Sequence, residues 1–466
     1  MYPQWADRDP PTDLVIGTKD PSDASSLPGY SGAMTDSAPA RLAGDELSVP
    51  CLDGVRRRYL SFDAAAATGA LPGVLDAVQA FVPWYASVQG GAGYKSQASA
   101  VGYEGARLAT LAFAGRCTAA DDAVLFCRNA TEAIDRLGRL LRLRRDDVVV
   151  TTVAEHQANL RPWARAASGR HVQCGMDGTF GTEDVVALLG GRPRPALLAI
   201  TGASGVTGWL PPLADIIEAA HRRGVPVLAD VAQLAPHDRL PAHADFLVWS
   251  GPKMYAPFGA GVLIGPRRVL RADAALAYPA DPEADGSPNV LGAVALHAAM
   301  ETLSGTGWPV ITAHERHIAA MMRRGLAAIP QVHLLGPAGQ GADSQTLPLA
   351  TFVVTGIPHG LVAARLAAEH AIGVGHGRFG AGRYLDRLLG TTAERGENRR
   401  EIRGAIRASA GISTTRDDVR RLLAAVASVV ADVPPVPYHQ DPSTGDFFPA
   451  AGVPAELQLN SVIGGA

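Results

Sequence analysis

Short, unbroken apolar runs that stop abruptly at polar residues alternate with stretches of helical spacing along most of this chain. Residues 123–128 (AVLFCR) end at Asn129-Ala130-Thr131, and the AIDRLGRLLRL that follows is amphipathic. DVVVTT runs into Glu155, His156 and Asn159; residues 195–201 (PALLAIT) run into GASGVTG; residues 225–229 stop at Asp230; residues 246–249 (FLVW) stop at Ser250. Runs this short and this apolar are buried strands, and helical periodicity recurs at 71–85, 98–115, 213–223, 310–327 and 416–431. Strands alternating with helices predict an α/β fold with a mostly parallel, doubly wound sheet. Later, ATFVVTG, HAIGVGHGRFG and EIRGAIRASAGIS predict a smaller α+β domain closed by the 416–431 helix. The flanks are rich in Pro, Asp, Ser and Gly without a sustained period. The expected organisation is an irregular arm over 1–58, a large domain over 59–309, a small domain over 310–432 and an irregular tail over 433–466.

Open α/β sheets bind ligands beyond the carboxyl ends of their strands, so the polar residues there carry the candidate chemistry. Two of those ends stand out. One delivers Asp230, with Gln233 and His237 close behind; the other delivers Ser250-Gly251-Pro252-Lys253, followed by Gly259, Gly261 and Gly265. A lysine enclosed in such a site has a lowered pKa and can form a Schiff base, and a carboxylate can keep a pyridine nitrogen protonated. Taken alone, the same residues also fit a surface lysine in a Gly/Pro loop and a helix N-cap aspartate. The strand-to-helix turn at Asn129, Ala130 and Thr131 offers free backbone N–H groups to a phosphate, and equally an ordinary N-cap.

Composition narrows the partners. In 466 residues, 47% are hydrophobic, ample for a core, and a net charge of −3 offers no electrostatic case for nucleic acid or a membrane surface. Cys51, Cys117, Cys127 and Cys174 show neither metal-ligand spacing nor a disulfide framework, so no metal is expected. No leader-like segment opens the chain and no apolar run approaches a membrane span, so a cytoplasmic location is expected.

The strings LADVAQ and FLVWSGPKMYAPFGAGVLIG closely resemble the cofactor segment of the class V aminotransferase and cysteine desulfurase superfamily, pyridoxal-phosphate (PLP) enzymes of fold type I. The resemblance covers about residues 59–430. It implies that Lys253 carries PLP, Asp230 meets the pyridine nitrogen and Gln233 the phenolic oxygen. Asn129, Ala130 and Thr131 would cradle the phosphate as FVRGTTE-like segments do, with Ser250 also at the cofactor. EHQANLRPW matches EHxxNxxPW, which makes His156 the ring-stacking and proton-transfer residue. GSPN matches a GTPN turn that reaches the neighbouring subunit's phosphate, so Ser287 implies a homodimer with shared active sites. IRASAGISTT matches RASxxxYNT, which assigns Arg407 to the substrate α-carboxylate, where a planar guanidinium fork fits. Arg378 and Tyr94 follow as further substrate contacts, on the small-domain loop and in the glycine-rich QGGAGYKSQ loop; Lys95, His376 and Arg383 are neighbours by position.

Four departures bear on the reaction. Pro252 stands where the family has His, Gly205 where it has Asn, and GHGRFGAGRYL replaces a segment resembling RDGCFCAHP, placing Arg378 and Gly380 where a desulfurase carries its cysteine. The resemblance therefore points to the branch without that cysteine, similar to C–S lyases of thiol metabolism and to tailoring enzymes of lincosamide-type antibiotic biosynthesis. The expected reaction is C–S cleavage of an S-substituted cysteine by β-elimination. Alternatives are decarboxylation-dependent oxidative deamination to an aldehyde, transamination or epimerisation, and a non-catalytic scaffold.

Overall fold

The apolar runs become one sheet because strands buried on both faces need helices on both sides. The structure, a computed structural model, describes residues 38–88, 93–116, 121–270, 287–338, 345–390, 404–450 and 452. In chain order its strands are β1 (Ser48–Pro50), β2 (Arg56–Arg58), β3 (Leu60–Phe62), β4 (Asp122–Cys127), β5 (Val148–Thr152), β6 (Ser168–Val172), β7 (Leu197–Thr201) and β8 (Val227–Asp230). There follow β9 (Phe246–Ser250), β10 (Gly261–Pro266), β11 (Val332–Leu335), β12 (Leu349–Val354), β13 (Ile372–Gly377), β14 (Ala405–Ser409), β15 (Tyr438–Gln440) and β16 (Phe447–Pro449).

The seven-stranded sheet has the order β4-β10-β9-β8-β7-β5-β6. Strands β9, β8, β7, β5 and β6 are parallel neighbours. Strand β10 runs antiparallel to both of its partners, because the chain turns straight back after Lys253. Every residue of β5, β7 and β9 is buried, as their continuous apolar runs predict. Parallel strands aim all their carboxyl ends the same way, so Thr201, Asp230 and Ser250 lie side by side.

Glycine allows a close approach at one decisive point. A Cβ on Gly261 would lie 2.5 Å from the Cα and 2.7 Å from the N of Asn129, so β10 packs against the turn that opens helix Ala130–Leu140 only because residue 261 has no side chain.

The second sheet, β11-β12-β14-β13-β3, recruits its edge strand from far upstream. Leu60 and Phe62 of β3 pair in parallel with β13 and are buried with Phe352 and Ile406. The stretch expected to open a 59–309 domain thus belongs to the sheet built mainly from the later half of the chain. Three residues of alternating polarity fit any half-buried edge, so the pattern names no partner. From β3 the chain crosses to the Lys253 turn, where the N–H and Oγ1 of Thr68 donate to the Pro252 carbonyl at 2.8 and 3.1 Å. The Tyr255 N–H donates back to the Thr68 hydroxyl at 2.8 Å.

Both flanks carry more order than their composition predicts. The arm contains the β1–β2 hairpin, and the tail folds into β15 and β16 around a turn in which Asp441 accepts from the Ser443 N–H at 2.7 Å. Strands of three residues beside prolines leave no measurable period. Tyr438 fastens the tail by donating to Glu369 at 2.9 Å. Residues 1–37 of the expected arm and most of 451–466 lie outside the described residues. The helix expected over 98–115 spans Tyr94–Phe113, with Gly93 at its N-cap, which puts Tyr94 and Lys95 on a helical turn rather than in a loop. The helix expected over 71–85 ends at Phe81, where Pro83 turns the chain into a single 3-10 turn. Among the described residues, no helix is long and apolar enough to cross a membrane.

Gly261→Ala is expected to cost about 1–3 kcal/mol, the usual range for overpacking. A denaturant midpoint unchanged from the parent protein would contradict this account of the β10 contact.

Candidate active site

The carboxyl ends of β5, β7, β8 and β9 open onto a cavity of about 310 Å³, within the range of small-molecule sites. Nine of the cofactor and substrate residues expected from the sequence line it, together with Gly205. Asn129, Ala130 and Thr131 form one wall at the start of helix Ala130–Leu140. The Asn129 side chain accepts from the Glu132 N–H at 2.9 Å, while the amides of Ala130 and Thr131, in the first turn, have no intrahelical acceptor and form the positive end of the helix dipole. His156, Asp230, Gln233, Ser250, Lys253 and Arg407 complete the set.

Lys253 is the electrostatic centre. Its Nζ donates to Gln233 Oε1 at 3.0 Å. Burial, reinforced by the positive charge of Arg407, lowers the amine to about 8, and Asp230 and Asp63 oppose that shift without cancelling it. Asp230 is buried in turn, and burial raises its carboxyl against the opposing pull of the Ala232 N–H and Lys253. Adjacent parallel strands set the spacing: β8 carries Asp230 and β9 runs into the Lys253 turn.

Behind them lies a second carboxyl. Glu155 is fully buried and accepts from Thr152 Oγ1 at 2.8 Å, Asn159 Nδ2 at 2.8 Å and the Thr201 N–H at 3.0 Å. Burial pushes it up to about 8, with those donors opposing and the charge of Asp230 adding to the rise. Asn159 is itself oriented by Trp163, whose Nε1 donates to it at 3.1 Å. The EHQANLRPW string is therefore one hydrogen-bonded block under the sheet end. It holds out His156, whose Nδ1 accepts from the Ala158 N–H at 3.1 Å, so the neutral ring carries its proton on Nε2. Burial, then the positive charges of Lys253, Arg161 and Arg407, lower this imidazole to about 4.

Arg407 enters from the central strand of the other sheet. It is 6% exposed; Nη1 donates to the Gly205 carbonyl at 2.8 Å and Nη2 to Asp63 Oδ1 at 3.0 Å. Its guanidinium carbon lies 4.7 Å from the centre of the Phe379 ring. Sequence reading missed Asp63 and Phe379. The signal for Asp63 was present, since it too is a carboxylate directly after an apolar strand; Phe379, at φ +51°, had none.

Other candidates sit elsewhere. Tyr94 is 86% exposed and Ser287 is exposed, and neither lines the cavity of this single chain. Arg378 donates to Asp386 at 2.6 Å and to the Gly382 carbonyl at 2.9 Å, also outside the lining. The sequence pattern could not foresee Asp386, one turn into the next helix, as its partner. His376 faces Asp446 in the tail at 3.4 Å, and His237 forms a buried pair with Glu315 at 2.9 Å. Gly380 touches the site by lacking a side chain: any Cβ there would run into the His156 ring, and its φ of +66° disfavours one independently. Cys51, Cys127 and Cys174 are buried away from the cavity lining, and Cys117 lies outside the described residues.

A family model described as aminotransferase class-V matches residues 60–422. A cysteine desulfurase of Dickeya dadantii (strain 3937) is 30% identical over 378 residues, covering 73% of this chain and 84% of that protein. A cysteine desulfurase of Cronobacter sakazakii is 34% identical over 243 residues, covering 46% of this chain and 59% of that protein. In fold, the chain is similar to the apo structure of a cysteine desulfurase from Thermococcus onnurineus NA1, with a TM-score of 0.70 at 24% identity, covering 80% of this chain and 94% of that one.

The lowered amine at Lys253 has a measurable consequence. Only the neutral amine attacks an aldehyde, so capture of a small aromatic aldehyde by the cofactor-free protein should rise with pH through about 8 and then level off. Borohydride trapping and peptide mass spectrometry at Lys253 would read it. A yield still climbing at the ordinary lysine value of 10.5 would refute the burial argument.

Proposed function

This chain belongs to the class V aminotransferase family, whose members depend on PLP, and on that premise we propose that it cleaves the C–S bond of an S-substituted cysteine by β-elimination. The cavity residues fit the cofactor. A desolvated lysine faces a buried aspartate, and a helix N-terminus with unclaimed amides lies across the same cavity. In this reading Lys253 would hold the cofactor, Asp230 its ring nitrogen, and Gln233 its phenolic oxygen. Asn129, Ala130, Thr131 and Ser250 would hold the phosphate, and His156 would lie against the ring. When bound, PLP draws electron density away from the substrate's α-carbon.

The chain's own groups supply the rest. Arg407 binds the substrate carboxylate. The Lys253 amine, with its lowered pKa, takes the α-proton. The Cβ–S bond then breaks, and the sulfur leaves with its substituent while the Nε2–H of neutral His156 donates a hydrogen bond to it. The balanced outcome is S-substituted cysteine plus water giving a thiol, pyruvate and ammonium.

The observation that carries this reading is Gly380. A sulfur-accepting cysteine has no room there without displacing His156, and none of the described cysteines lines the cavity. With no thiol at the cavity among the described residues to take the sulfur, the sulfur departs on its own carbon substituent. One observation favours the rival, decarboxylation with oxidative deamination to an aldehyde: the Gly205 carbonyl occupies one arm of Arg407, which changes how a substrate carboxylate is held. We further propose that the protein works as a homodimer in the cytoplasm, with exposed Ser287 offered to the second copy's cofactor phosphate, and that it serves thiol or secondary metabolism such as antibiotic biosynthesis.

Incubation with S-methylcysteine tests the reaction. Methanethiol with an equal amount of pyruvate is the expected result; CO₂ with an aldehyde that keeps its sulfur would reject β-elimination. Lys253→Ala should abolish the visible absorbance of the purified holoenzyme together with turnover. A variant that kept both would remove Lys253 from the mechanism.

A further inference from the structure

Arg407 is held more tightly than a substrate-binding arginine requires, and the constraint comes from a residue outside the cavity lining. Asp63 follows β3, and its backbone neighbourhood is stitched to the strand that bears Arg407. The Ala65 N–H donates to Ser409 Oγ at 3.0 Å, the Ala64 N–H to the Ser409 carbonyl at 3.3 Å, and Asp63 itself bridges Ser409. The carboxylate therefore has little freedom to move away from the guanidinium. Space for the pair is provided by Gly375, which stands opposite Arg407 in the ladder. A Cβ there would lie 2.7 Å from Asp63 Oδ1 and 3.4 Å from Arg407 Nη2.

Three of the guanidinium's surroundings are thus specified. Asp63 holds Nη2, the Gly205 carbonyl holds Nη1, and Phe379 covers one face. Guanidinium is planar, so two fixed nitrogens fix the third. That third nitrogen, Nε, is buried and has no hydrogen-bond partner among the described residues. A buried N–H without a partner is costly, so this rigid placement of the guanidinium is kept at an expense to the fold.

We propose that Asp63 is the positioning residue of the substrate site: it clamps Arg407 so that the guanidinium is held at the cavity wall for the carboxylate of the incoming amino acid. This rests on the reading of Arg407 as the carboxylate-binding group. Asp63 acts on substrate only through Arg407. Two effects of its charge oppose one another, since the carboxylate orients the guanidinium and also repels an arriving anion. Orientation dominates, because a charge-assisted grip depends on where the guanidinium plane points, whereas the repulsion is weakened by solvent at a carboxylate that is 35% exposed.

The test uses the full-length holoenzyme and three variants, Asp63→Ala, Asp63→Asn and Arg407→Lys. Affinity for S-methylcysteine is read by spectral titration of the bound cofactor, which needs no turnover, alongside KM and kcat. Asp63→Ala should weaken binding and raise KM about tenfold with a smaller change in kcat, the signature of a lost ground-state contact. Asp63→Asn keeps an acceptor oxygen and drops the charge, so it should recover most of the affinity. Cofactor absorbance per chain should be unchanged in both. Wild-type affinity in Asp63→Ala, with Arg407→Lys weakened, would overturn the role of Asp63 and leave that of Arg407 intact. Wild-type affinity in Arg407→Lys would remove the underlying reading instead. Loss of cofactor from Asp63→Ala would mean that Asp63 supports the fold rather than the grip, and would also overturn the proposal.

Discussion

An ammonium group taken out of water between two carboxylates and a guanidinium is the constraint on which the rest of this structure depends. Lys253 is enclosed among neighbours of both signs: the carboxylates of Asp230 and Asp63 favour its charged form, and Arg407 disfavours it. Asp230 arrives on the adjacent parallel strand and Arg407 from the second sheet, with Asp63 behind it. Burial outweighs the attraction of the carboxylates, so the amine titrates near 8 rather than 10.5. The result is a lysine that is nucleophilic and basic close to neutrality, which is what a Schiff-base site requires.

One stretch of chain leads from the second sheet directly to this lysine's turn. Residues 60–68 begin as an edge strand of the five-stranded sheet, place Asp63 on Arg407, pass Ala65 and Ala66 along the cavity wall, and end with Thr68 on the Pro252 carbonyl. Pro252 gains a meaning here that substitution alone does not convey. It occupies the first turn after β9, where its missing N–H has no intrahelical partner to lose, and it contributes a carbonyl that ties the lysine turn to the other sheet. A histidine side chain is absent, but the backbone anchor is intact.

The chemistry follows from small residues as much as from reactive ones. Gly380 brings the β13 loop onto the His156 ring and excludes a thiol. Gly205 offers its backbone carbonyl to Arg407, and Gly261 admits the turn at Asn129. His156 stays neutral over the physiological range because burial and three cations hold its pKa down. It therefore contributes a fixed hydrogen-bond donor and a flat surface rather than a mobile charge.

Much of this was legible in one dimension. Continuous apolar runs ending in polar residues are a local property, and they located β4, β5, β7, β8 and β9 to within two residues or so, together with the groups at their ends. The strings around Lys253, His156 and Arg407 likewise carried the family, because those residue types must recur at fixed spacing to reach one cofactor. Pairings between distant segments were not legible. A three-residue strand such as β3 carries too little pattern to specify its sheet, and the hairpins at either end of the chain were hidden for the same reason. Nothing in the sequence says that Asp63 meets Arg407 across 344 positions, or that Arg378 turns to Asp386. The sequence by itself determined which groups are available and on which strand ends they sit. Only the tertiary structure decided which of them face one another, because a charge's partner is set by sheet order and by where glycines let two backbones come close.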